Sequence, residues 1–190
     1  LHASIEAAPV DLFSSVQEEA LVSQGFFAGE ARYIPLAKEP QRLSVTRALS
    51  ASNVVASLDV DGEKIEKSTI LLYGDRGTLG LRVKLFDDVV PEAIEGGVVK
   101  FIHGLVGASA ISVTGYQDGG ILFETTLDFG EVSNYLDIPQ DGSVELVVHR
   151  VVDGKLVESP SLAFEPGGAY TALVTGEVDY YTKTVLYRDN

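Results

Sequence analysis

The chain has 190 residues, and its 28 acidic and 14 basic side chains leave a net charge of −14. That field opposes nucleic-acid backbones and anionic lipid surfaces, and it favours solubility or a basic or cationic partner. No apolar run approaches the ~18 residues of a membrane span, and the absence of cysteine removes disulfides, thiol nucleophiles and thiolate metal sites.

In chain order, Leu1-His2-Ala3 reads as the tail of a buried strand. Pro9–Phe13 follows as a second strand. Ser15–Ser23 has helix-forming residues at Gln17, Glu18, Glu19 and Ala20, but its place in the chain predicts a turn and strand. Arg42–Leu49 and Val54–Val60 are strands around Ser50–Asn53. Asp61-Gly62 is a turn before Thr69–Tyr73. In Leu79–Phe86, Leu79, Leu81, Val83 and Leu85 share one face and Arg82 and Lys84 the other. Asp87–Gly97, with its proline, acids and glycine pair, has linker composition.

The second half reads more clearly. Val98–His103 is a buried strand ending in a histidine. Ile111–Tyr116 and Ile121–Leu127 flank the turn Gln117–Gly120, and Gly130-Glu131 makes a corner. Val132–Ile138 ends at Pro139–Gly142. Val144–Val151 reaches Asp153-Gly154, a type I′ hairpin pattern. Leu156–Phe164 is interrupted by Pro160, as an edge strand would be. Pro166–Gly168 turns into Ala169–Thr175, and Tyr180–Arg188 closes the chain. Short strands between such turns predict a sandwich or barrel.

The two halves match each other. His2 and His103 lie 101 positions apart, as do Gly29-Glu30 and Gly130-Glu131. After a one-residue slip, Tyr33, Val45, Thr69, Gly74 and Asp87 pair with Tyr135, Val147, Thr171, Gly176 and Asp189 at a spacing of 102. A period this long is the size of a domain. The expectation is two tandem all-β, immunoglobulin-like antiparallel β-sandwich domains, 1–88 and 98–190, joined by a linker at 89–97. His2, His103, Gly29, Glu30, Gly130 and Glu131 are expected at structural corners, the two glutamates accepting from loop amides. Leu1 and His2 fill a slot that takes six residues in the second copy. The first strand is therefore expected to extend upstream, behind an export signal.

Few residues offer chemistry. One histidine per copy, plus His149 on a strand, falls short of the three or four ligands of a zinc site. Asp59-Val-Asp61-Gly62-Glu63 opens like a calcium loop, but Ile70 stands where its twelfth-position glutamate belongs. The acidic linker leaves a looser calcium site open. Gly107-Ala-Ser109-Ala-Ile111 lacks the second glycine of a nucleophile elbow. Asp87 and Asp88, adjacent in sequence, read as solvated rather than as a catalytic pair. Tyr180, Tyr181 and Tyr187 could form a sugar platform, although strand tyrosines usually serve packing. No catalytic, cofactor or metal residue is assigned.

His2-Ala3-Ser4-Ile5-Glu6-Ala7-Ala8-Pro9-Val10-Asp11-Leu12 resembles the opening His-Ala-Ser-Pro-Asp-Ala-Pro-x-Val-Asp-Val of a bacterial family of uncharacterised domains. Gly29, Glu30 and Tyr33, their partners Gly130, Glu131 and Tyr135, Pro139–Gly142 and Gly167–Thr171 are further similar landmarks. Ile5 and Ala8 depart from its prolines, and the second copy keeps only the histidine. The resemblance implies tandem immunoglobulin-like sandwiches in secreted or envelope-attached proteins, and transfers no active site. The functional expectation is a non-catalytic extracellular, periplasmic or cell-envelope module for binding, adhesion or spacing. It would use no cofactor and meet a protein or glycan partner at the cell surface. The rival is a carbohydrate-binding or glycan-hydrolysing domain using surface Tyr and Asp/Glu.

Overall fold

The structure, a computed structural model, describes residues 1–4, 9–29, 33–50, 52–74, 80–91, 96–139 and 142–189. The chain divides into two compact units, Leu1–Val89 and Val90–Asn190. Both are all-β, each built of two β-sheets packed face to face around its own core.

The first unit contains β1 (Val10–Ser14), β2 (Val22–Gly25), β3 (Pro40–Arg47), β4 (Val54–Asp61), β5 (Ser68–Gly74) and β6 (Leu81–Asp87). One sheet has the order β2-β1-β3-β4, and β5-β6 is the other. Alternation places Gln41, Leu43 and Val45 of β3 inward, as period-two patterning requires. Val10, Val45 and Leu72 form a buried cluster, with Leu12, Val55 and Val83 packed around it. His2 bridges Leu72 in parallel: Ala3 N–H donates to the Leu72 carbonyl at 2.7 Å, and Leu72 N–H to that of Leu1 at 2.9 Å.

The second unit contains β7 (Gly97–Val106), β8 (Ala110–Gln117), β9 (Gly120–Asp128), β10 (Leu136–Ile138), β11 (Gly142–Arg150), β12 (Leu156–Glu158), β13 (Ser161–Phe164), β14 (Ala169–Glu177) and β15 (Tyr181–Arg188). Its sheets are β10-β7-β14-β15 and β12-β11-β8-β9, with β13 also on β11. Val99, Phe101 and Leu105 from β7 and Tyr170, Ala172 and Val174 from β14 share a core with Ile111, Val113, Leu146 and Val148 of the opposite sheet. Phe101 meets Phe123 across it with ring centroids 5.6 Å apart.

The sequence pattern predicted antiparallel pairing throughout. The pair β7–β14 is instead parallel over nine positions, from Val98↔Ala169 to Val106↔Glu177. Central strands covered on both faces lose alternation and read as apolar runs, and all ten residues of β7 are buried. This also explains why the strand does not end at His103. It pairs on to Val106, with Gly104 opposite Thr175.

Two other expectations change, and those at Pro160 and Ser15–Ser23 hold. Only Leu136–Ile138 is strand in the segment 132–138, with Val132 making a lone bridge to Ile102. The β11–β12 connection is not a two-residue type I′ turn. Gly154, alone of the Asp153-Gly154 pair, has positive φ, and its N–H reaches back to the Arg150 carbonyl at 2.9 Å. Pro160, which has no N–H to give the ladder, stands between β12 and β13. Ser15–Ser23 is a turn leading into β2.

The corner at Gly130 has a counterpart one residue away from the expected Gly29. Gly130 N–H donates to the His103 carbonyl at 2.8 Å, and Ala28 N–H donates to that of His2 at 2.9 Å. Ala28 has φ 48° and Gly130 has φ 79°. Gly29 instead matches Glu131: their N–H groups donate to Phe26 and Asp128 carbonyls at 3.1 and 3.0 Å. Glu131 serves the corner through its backbone, its carbonyl accepting from His103 N–H at 3.0 Å. Glu30 lies outside the described residues. A left-handed alanine carries a steric penalty that glycine lacks. Ala28→Gly is therefore expected to stabilise the first unit by about 0.4–1 kcal/mol, and Gly130→Val to destabilise the second by about 1–3 kcal/mol. Differential scanning calorimetry checks both, and opposite signs are the expected result.

Candidate functional site

Among the described residues, the side chains that matter most fall into two buried clasps, two buried histidines and one open cleft. The clasps lie just past the last strand of each unit. Asp189 N–H donates to the Ala169 carbonyl at 2.7 Å. Its carboxylate accepts from Tyr135 Oη at 2.9 Å and from Thr171 Oγ1 at 2.8 and 3.0 Å. Lys100 Nζ lies 5.1 Å from the Tyr135 ring centroid. In the first unit Asp88 N–H donates to the Lys67 carbonyl at 2.8 Å. Its carboxylate accepts from Tyr33 Oη at 2.9 Å and Thr69 Oγ1 at 2.8 Å, and Lys67 Nζ lies 4.3 Å from the Tyr33 ring centroid.

Two sequence expectations are corrected here. Asp88 is not solvated: it is 3% exposed and Asp189 is 6% exposed. The partner of Asp189 is Asp88, not Asp87. The β5–β6 turn is one residue longer than that of β14–β15, since Leu71 faces Lys84 and Leu173 faces Val185. Asp87 is exposed and takes a hydrogen bond from Ser68 Oγ at 3.2 Å.

His2 and His103 are buried in matching surroundings. Ser4 N–H donates to His2 Nδ1 at 3.3 Å, and Leu105 N–H to His103 Nδ1 at 3.2 Å. Each ring meets a phenylalanine edge-on, Phe27 at 6.4 Å and Phe129 at 5.5 Å. A backbone donor on Nδ1 places the neutral ring's proton on Nε2. Burial pushes the His103 imidazole down to about 4, opposed in part by the nearby Ala108 carbonyl. Each ring accepts from the backbone N–H two residues further along its own chain. Among the described residues no three His, Asp or Glu side chains converge as a metal-binding group.

Asp11 carries a further structural duty that the sequence did not reveal. Its carboxylate accepts from Gln24 N–H at 2.7 Å and Leu49 N–H at 2.9 Å. Both donors are left-handed, with φ 53° and 63°. One buried carboxylate thus holds the irregular stretch of β2 and the turn after β3, both on left-handed backbone.

The cleft lies in the second unit, where the β11–β12 and β14–β15 turns meet. Arg150, Lys155, Leu156, Asp179, Tyr180 and Tyr181 line its mouth, and its volume is about 180 Å³. Lys155 pairs with Asp179 across it, and Arg150 with Asp153 beside it. Thr182 Oγ1 donates to the Val157 carbonyl at 3.3 Å, tying β15 to β12. Hydrogen bonding from Lys155 holds the Asp179 carboxyl below its ordinary range. Tyr180 is 85% exposed and Tyr181 48%. Tyr187, grouped with them by sequence, does not line the cleft. Its hydroxyl is buried and burial pushes its phenol up to about 12. Arg150, Lys155 and Asp179 escaped notice in the sequence because they belong to turns that only the sheet topology brings together.

No protein-family model matches the chain, and no curated protein matches it. Among solved structures, the chain is similar to CBMbc, a family CBM26 module from Eubacterium rectale Amy13K crystallised with maltoheptaose. The identity is 11% and the TM-score 0.31, over 100% of this chain and 95% of that one. The all-β assignment rests on the strands themselves.

Two predictions follow from the buried groups. Removing one donor from a buried carboxylate costs about 1.5–3 kcal/mol, so Tyr135→Phe and Thr171→Val should each lower stability by that amount. Because both act on Asp189, the double variant should depart from additivity by more than about 0.5 kcal/mol in a denaturant-unfolding cycle. For His103, the unfolded imidazole takes up a proton near 6.5 while the folded one resists until about 4. The second unit should therefore lose about 3 kcal/mol as pH falls from about 6.5 to 4. Urea titrations across that range check it, and His103→Gln should remove the slope.

Proposed function

We propose that the chain comprises two copies of one β-sandwich unit, of the family that its His-Ala-Ser opening resembles. We read it as a non-catalytic extracellular, periplasmic or cell-envelope module for binding, adhesion or spacing. The observation that carries this reading is the matched use of reactive side chains. Asp88 and Asp189, with Tyr33 and Tyr135, are committed to internal hydrogen bonds at the same place in each unit. His2 and His103 pair with Leu72 and Val174, the same strand position in each.

Matching extends to backbone detail. Gly74 and Gly176 have φ 103° and 115°, and a Cβ on them would lie 2.2 Å from the Gly80 carbonyl and 2.0 Å from the Tyr181 carbonyl. A carboxylate that accepts from a tyrosine and a threonine is poorly placed to serve as a nucleophile or a base toward an outside substrate. On this account His2, His103, Gly29, Gly130 and Glu131 act as structural corners.

The test is an activity screen of the purified chain against glycan, ester and peptide substrates, with Asp88→Asn and Asp189→Asn in parallel. No turnover above buffer is expected. Turnover abolished by one Asp or Glu substitution would overturn the reading. The proposed location is checked separately, by labelling intact source cells with a membrane-impermeant reagent. Labelling of the full-length protein before lysis is the expected outcome.

A further inference from the structure

We propose that the cleft between the β11–β12 and β14–β15 turns is a binding site for a neutral oligosaccharide chain. The proposal rests on the non-catalytic binding role above and names its ligand class. Four observations carry it.

The first is the aromatic pair. Tyr180 and Tyr181 stand at the mouth of the cleft, 85% and 48% exposed. A tyrosine ring offers an apolar face with a polar tip, which complements the C–H face and hydroxyl rim of a pyranose. The second is charge. The chain carries −14 overall, yet around the cleft Arg150 and Lys155 are matched by Asp153 and Asp179. Paired charges supply hydrogen-bond donors and acceptors without a net field, which suits hydroxyls better than sulfates, phosphates or uronates.

The third is shape. A volume of about 180 Å³ is below the ~300–1,000 Å³ of pockets that enclose a small molecule. The cleft is open and shallow, so the ligand would lie across it with only a ring or two in contact. The fourth is preorganisation. The Lys155–Asp179 pair and the Thr182–Val157 hydrogen bond join the two turns. Asp179 is left-handed, with φ 68°, and Tyr180 N–H is held by the Glu177 carbonyl at 3.2 Å. The aromatic side chains are thus carried on backbone that is already fixed, which lowers the ordering cost of binding.

The experiment is affinity electrophoresis of the intact chain through gels containing soluble glucans, galactans, mannans, xylans or chitosaccharides, with alginate and heparin as anionic probes. Tyr180→Ala and Tyr181→Ala test the site. Ile121→Ala, an exposed residue at the opposite end of the β8–β11 ladder from Arg150, is the control. At least one neutral polysaccharide should retard the wild type and the control, and each tyrosine variant should bind it at least about tenfold more weakly. Circular dichroism confirms that the variants are folded.

Retardation by none of the neutral polysaccharides, by the anionic ones alone, or equally in both tyrosine variants would overturn the proposal. So would a peptide library yielding ligands that compete for the same tyrosines while no glycan does. Release of reducing sugar by the wild type would overturn the non-catalytic role and leave the binding site standing, so the two failures are distinguishable.

Discussion

A buried carboxylate fastens each unit just beyond its final strand. In the second unit Asp189 ties together three parts of the chain: the start of β14 through Ala169 and Thr171, the segment before β10 through Tyr135, and the end of β15 through its own backbone. Burying a carboxylate is costly unless hydrogen bonds offset the lost hydration. The fold meets that demand with two hydroxyl donors, and it can do so only while β14, β15 and the segment before β10 stay in place. The charge therefore selects one arrangement of the sheet edge, because any slip would strand it without donors.

Parallel pairing of β7 with β14 sets the rest. It brings residue 98 beside residue 169, a contact that no local signal announces. Once it forms, β7 lies between β10 and β14, covered on both faces. Its apolar run then needs no alternation, and its polar members Lys100 and His103 must find partners inside. His103 does so through a backbone donor and a phenylalanine edge, and Lys100 lies near the Tyr135 ring.

Much of this was legible in the sequence. Apolar runs between glycine, proline and aspartate turns placed most strands within a residue or two, and Pro160 marked a real break. The mismatched equivalences share one cause. Equivalences drawn at constant spacing slip wherever one unit has a turn one residue longer. That is why Asp87 was matched in place of Asp88, and Gly29 in place of Ala28. A glycine seemed the natural occupant of a left-handed corner, yet the corner is set by the hydrogen bond to the preceding histidine's carbonyl, and alanine tolerates it. The cleft was half legible. Exposed Tyr180 and Tyr181 were singled out, but the basic neighbours Arg150 and Lys155 come from a distant turn, and Tyr187 faces a different environment.

The strand directions have a mechanical corollary. Because β14 runs parallel to β7 and β15 runs back against β14, the second unit is entered and left at the same end of one sheet. Gly97 and Arg188 flank Ala169 and Tyr170 there, so entrance and exit are two strand spacings apart, roughly 10 Å. Tension applied at those two points would load the ladder bond by bond from that end rather than shearing all rungs together. The Asp189 clasp sits at the first rung, so it is the latch that any such peeling must open before the sheet yields.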